Sequence, residues 1–278
     1  MGVRSGIWAT LLVAILAVST SLVASGNPIA PPGWSPPSRN PSSVISIEGD
    51  TEFTESHGVL SGTGTESNPY IITNLSITAT HGVGIYIHYT TAYFVISDVV
   101  VVSAGPTNIQ YGIDLNEVRN GRIERCVVNG SRTGIGVFSS ENIRVIGNEI
   151  NGYGTMGMDL TSCYNLTVRF NDVNDHFYGI WLHGVSSADV SGNNIKGANT
   201  GILLVDCVDV TAKDNHMDSQ MIPYYDNNWM GNTWPGSQKV IDEQLGRLLL
   251  MGLVVPAFVA MALGVYFIRD RRKKVAVH

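Results

Sequence analysis

Apolar and polar residues alternate along this chain in short stretches, and the alternation restarts at a nearly fixed interval. Six glycines each open an apolar-x-apolar triplet: "GIYI" at 84, "GIDL" at 112, "GIGV" at 134, "GMDL" at 157, "GIWL" at 179 and "GILL" at 201, in steps of 28, 22, 23, 22 and 22. A second column, Asp98, Cys126, Asn148, Asn171, Asn193 and Asn215, keeps the same steps. Two columns that advance together define a structural repeat. The period-2 alternation predicts strands, and no unit has the 3.6-residue period of a helix. A unit of about 22 residues supplies two or three short strands, too little to bury its own apolar face, so units must stack and pair strand on strand. The expected fold is an all-β, right-handed parallel β-helix solenoid of about seven coils over residues 45–235.

The pattern also assigns faces. Ile85, Ile113, Ile135, Met158, Ile180 and Ile202 form one expected inward stack, and Val95, Ile123, Val145, Val168, Val190 and Ala212 a second. The asparagine column should hydrogen-bond along its own length while satisfying turn backbone, which makes it structural rather than catalytic. Outward positions of the glycine-led strand read Tyr86, Asp114, Gly136, Asp159, Trp181 and Leu203, followed by His88, Asn116, Phe138, Thr161, His183 and Val205. The segment "SAGPTNIQ", 103–110, is longer than its counterparts and is expected to bulge as a loop.

The two ends read differently. Residues 1–26 carry one arginine, Arg4, then an apolar run and small residues, the layout of a secretory signal segment. Residues 27–44 hold six prolines and form an expected linker. A juxtamembrane segment, 236–247, precedes an uncharged apolar run at 248–268, long enough for a transmembrane helix. The tail 269–278 opens with "RDRRKK", whose basic excess places it on the cytoplasmic side. The expected topology is a single-pass membrane protein with an extracellular solenoid.

Composition narrows the chemistry. A net charge of −6 with 14% charged residues gives no basic patch for nucleic acid. Cys163 and Cys207 are two coils apart, roughly 9.6 Å by strand spacing, beyond the reach of a disulfide. Cys126 falls in another column, so buried thiols are expected. The sequons at Asn74, Asn129 and Asn165 are candidate glycosylation sites, with Asn129 expected to be the most exposed. His216, Met217, Met221 and Met230 are soft-ligand types without ligand spacing, and Met217 continues an inward column, so no metal and no cofactor is expected.

The "GIxL…N-x-x-V-x-x-N-x-I" units resemble the repeats of the pectate-lyase-like superfamily, in particular NosD-like or CASH (carbohydrate-binding and sugar hydrolase) β-helix domains. "GVLSGTGTESNPYIITNLSI", 58–77, is similar to the opening coil of archaeal secreted members, and "YYDNNWMGNTW", 224–234, to their closing segment. The resemblance implies export and a β-helix, and leaves carbohydrate binding, hydrolysis, lysis and structural roles open.

Candidate chemistry lies on the outward face. Asp159 sits beside Trp181 and diagonal to His183, while Asp114 and Asp159 are two coils apart. An indole beside carboxylates suits a sugar ring, and this carboxylate spacing suits an inverting glycosidase. The column offers no basic partner, however, and the acids are not clustered. The expectation is a non-enzymatic protein that binds carbohydrate or envelope glycoconjugates, or a structural surface element, with Trp181, His183, Asp159 and Asp114 as contacts. The alternative is a polysaccharide hydrolase or lyase using Asp114 and Asp159.

Overall fold

The computed structural model describes residues 44–104, 109–218, 222–226 and 232–233. The expected signal segment, juxtamembrane segment 236–247, apolar segment 248–268 and basic tail lie outside these residues, as do most of the proline-rich linker and the centre of the stretch 103–110 expected to form a loop. Among the described residues, no helix is long and apolar enough to cross a membrane.

The strands stack into three parallel sheets that run the length of a solenoid. The first contains the glycine-led strands, from Ile45–Glu48 and Gly82–Thr90 to Thr200–Val205 and Ile222–Asp226. The second runs from Tyr70–Thr73 through Phe94–Ser97 to Val208–Lys213, and the third from Ser76–Ala79 to His216–Asp218. Among the described residues, six complete three-strand coils follow an irregular opening turn, against an expectation of about seven. In that turn, Val59–Ser61 pairs antiparallel with Tyr70–Thr73. Two short 3-10 helices, Asp50–Glu52 and Glu55–His57, lie between the first strand and this hairpin.

The repeating glycines are explained by crowding between adjacent coils. A Cβ on Gly157 would lie 2.2 Å from Val173 Cγ1 and 2.6 Å from the Gly179 carbonyl oxygen. No side chain fits there. Inside, Ile85, Ile113, Ile135, Met158, Ile180 and Ile202 stack in register and are fully buried. Each such side chain contributes about 2–3 kcal/mol by leaving water.

Both other expected columns shift by one residue at their early end. The register pairs Ile96, not Val95, with Ile123, and Val95 with Arg122 on the outward side. Likewise Val99, not Asp98, precedes Cys126 in the asparagine column, since Val127 N–H donates to the Val99 carbonyl. The cause is a turn. Thr90 pairs with Val118 and Phe94 with Gly121, so three residues, Thr91, Ala92 and Tyr93, oppose only two, Arg119 and Asn120. Asp50 holds the longer turn. Its carboxylate accepts from the Thr90 hydroxyl, from Thr91 N–H at 2.9 Å and from Ala92 N–H at 3.3 Å. Asp98 instead pairs bidentately with Arg125 at 2.8 and 2.9 Å.

The asparagine ladder forms as expected from Asn148 onward. Asn171 Nδ2 donates to the Val145 carbonyl and to Asn193 Oδ1, both at 2.9 Å, while its own Oδ1 accepts from Asn148 N–H and Nδ2. Asn148, Asn171 and Asn193 are buried. The three cysteines are free and buried. Each thiol faces two backbone carbonyls, those of Val137 and Thr161 for Cys163. Burial pushes Cys126 up to about 12 and Cys163 to about 11.

Candidate functional site

The outward columns of the first sheet have the expected register. Asp114, Gly136, Asp159, Trp181 and Leu203 occupy successive rungs, and so do Asn116, Phe138, Thr161, His183 and Val205. The face divides into two halves with different character.

In the early half, Asp114 is 8% exposed and His88 6%. His88 sits one coil earlier and two positions further along, and its Nε2 lies 3.4 Å from Asp114 Oδ2. This is the basic partner that comparison within a single column missed. The His88 ring stacks on Tyr86 at 3.5 Å between centroids, and Tyr86 Oη donates to Glu48 Oε1 at 3.0 Å. Asp114 Oδ1 is buried without a hydrogen-bond partner among the described residues. Burial raises the Asp114 carboxyl above the usual range against the pull of His88, and Asp159 adds to the rise.

The gap between the two aspartates is filled. A Cβ on Gly136 would lie 2.6 Å from the Phe138 ring and 2.9 Å from that of Tyr111. These rings meet edge to face at 5.6 Å, so they cover the rung between Asp114 and Asp159. An inverting pair needs that space for water and a scissile bond.

In the late half, Asp159 is half-buried and accepts from Thr161 Oγ1 at 2.8 Å. Burial raises its carboxyl, opposed by Thr161 and His183. Trp181, half-buried on the next rung, meets Tyr178 edge to face at 4.9 Å, and Tyr178 meets Phe177 at 4.7 Å. Phe177 is 50% exposed. His183 is exposed, 3.9 Å from Asp206. The structure thus brings Asp159, Trp181 and His183 together and sets Asp114 apart in a buried pair. Tyr178 and Phe177 complete an aromatic strip that the sequence reading omitted. Their signal was the aromatic pair directly before Gly179.

Of the sequons, Asn74 and Asn165 are exposed, whereas Asn129 is half-buried and accepts from Asn151 Nδ2 at 3.0 Å. This reverses the expectation that Asn129 is the most exposed. The reason is a second asparagine ladder, Asn129–Asn151–Asn174, on the third sheet. Among the described residues, no group of three or more His, Cys, Asp or Glu side chains is arranged to hold a metal ion.

Comparison with curated proteins gives no match, and neither does comparison with solved structures. A family model described as "right handed beta helix region" matches residues 43–217, more than half of the chain. With three parallel sheets, six stacked coils and a buried asparagine ladder inside that span, the chain belongs to the right-handed β-helix family.

Proposed function

We propose that this protein is a membrane-anchored, surface-exposed β-helix of the NosD-like type whose first-sheet face binds carbohydrate without cleaving it. The observation that carries the reading is the aromatic strip Phe177–Tyr178–Trp181 running beside the half-buried carboxylate of Asp159. Flat apolar rings accept the apolar face of a pyranose, while a fixed carboxylate and His183 accept or donate to its hydroxyls. Binding fits these positions better than hydrolysis or elimination. Asp114 is buried against His88, and aromatic rings fill the rung between it and Asp159. The apolar run 248–268 and its basic flank support the anchor, and the N-terminal apolar run supports export.

The test is binding of the full chain, in detergent micelles, to a panel of immobilised polysaccharides, with Trp181→Ala alongside. Retention on at least one polysaccharide, lost with Trp181→Ala, supports the reading. Absence of binding across the panel overturns it in favour of a structural surface element, and release of reducing ends or unsaturated sugars overturns it in favour of an enzyme.

A further inference from the structure

A second recess lies on the outward face of the second sheet, away from Trp181. It is a groove of roughly 410 Å³. Val95, Arg122, Arg144 and Thr167 form its floor on four successive rungs. Asn120, Asn142 and Asn165 line one rim, and Glu66, Pro69 and Tyr93 belong to its lining at the early end.

The rim is a ladder. Asn165 Nδ2 donates to Asn142 Oδ1 at 2.7 Å, Asn142 Nδ2 to Asn120 Oδ1 at 3.2 Å, and Asn120 Nδ2 to the Thr91 carbonyl at 3.1 Å. All three residues have positive φ, between 54° and 59°. A primary amide has two donors and two acceptor lone pairs, so each keeps a donor and an acceptor for a further partner. Side by side on successive rungs, they offer a row of donor–acceptor pairs, the chemistry that matches vicinal hydroxyls.

The floor carries charge with a direction. Arg122 is held by both oxygens of Glu124, at 3.0 and 3.1 Å. Arg144 is exposed and makes no ion pair among the described residues. Glu66 adds negative charge at the opposite, early end. An anionic group therefore belongs at Arg144, whose planar fork accommodates a carboxylate bidentately. We infer that this groove binds a carboxylated saccharide, with its acid on Arg144 and its hydroxyls on the asparagine rim. The site is independent of the Trp181 strip. Asn165 is also a sequon residue, so a glycan on it and a ligand in the groove exclude each other.

The experiment measures binding of the full chain in micelles to short alginate oligomers, with dextran oligomers as the uncharged control. Alginate is expected to bind and dextran to bind much more weakly, with affinity falling as salt rises. Arg144→Gln should weaken alginate binding by about tenfold or more, and Arg144→Lys by less, at unchanged melting temperatures. Lys196→Gln, which removes an exposed cation on the third sheet, should leave alginate binding intact, which ties the loss to the groove rather than to net charge. Equal binding of dextran, alginate binding indifferent to Arg144→Gln, or alginate binding weakened as much by Lys196→Gln would each overturn the assignment.

Discussion

His88 Nε2 lies 3.4 Å from Asp114 Oδ2, and the two side chains bury each other on a face that otherwise looks outward. A buried carboxylate with one oxygen unpartnered among the described residues depends on that imidazole. Removing the partner should cost more than removing the charge. His88→Leu is expected to destabilise the protein by about 3 kcal/mol. Asp114→Asn should be near neutral or stabilising at pH 7, and the double variant should recover most of the loss. Burial raises the Asp114 carboxyl above its ordinary 3.8. Its contribution is therefore fully present below that value and is lost as pH rises through the folded-state value. Urea titrations of the three variants across pH check both statements.

His176 provides the opposite dependence. It is 2% exposed, and burial lowers it from 6.5 to about 4 against the opposing pull of the Asn174 backbone and Asp175. The folded state holds the neutral ring, so stability is fully present above pH 6.5 and falls as pH drops toward 4, by about 3 kcal/mol at the limit. His176→Phe should flatten this fall. Melting temperatures between pH 7 and pH 4 provide the comparison, and an unchanged slope in the variant would refute the role.

Position within the asparagine ladder should set the cost of breaking it. Asn171→Ala removes two donated and two accepted hydrogen bonds at a fully buried site. The expected loss is about 2–4 kcal/mol. Asn215→Ala lies at the half-exposed end, where one donated bond to the Val190 carbonyl and the bonds accepted from Asn193 are lost, and should cost visibly less. Denaturant midpoints of the two variants give the ranking directly.

Two glycines should fail for different reasons. Gly157→Ala forces a methyl into Val173 and the Gly179 carbonyl, and is expected to cost more than about 3 kcal/mol or prevent folding. Gly147 has φ +65° and open space around its Cβ position, so Gly147→Ala should cost only about 1–2 kcal/mol. Gly147→Asn should cost less still. Soluble yield and thermal melting of the three variants distinguish crowding from backbone strain.

The sequence shows this solenoid because stacking forces equivalent positions into identical surroundings, and identical surroundings select similar residues. The isoleucine stack and the asparagine ladder were legible for that reason. The slip at Val95 and Asp98 was not, because it depends on one extra residue in the Thr91–Tyr93 turn, held by Asp50 from about forty positions away. The site was half legible. Asp159, Trp181 and His183 meet through rung-to-rung register, which counting recovers. The His88–Asp114 pair and the Tyr111–Phe138 cover depend on side-chain reach across columns, which spacing does not encode.

The thiols have a consequence for what holds such a scaffold together. Cys126, Cys163 and Cys207 are sealed inside the coil and held in the protonated form, and each points at backbone oxygen. Oxidants act on thiolate, and burial works against its formation at all three positions. Once folded, the solenoid therefore draws its stability from stacking and ladder hydrogen bonds rather than from any cross-link between these cysteines.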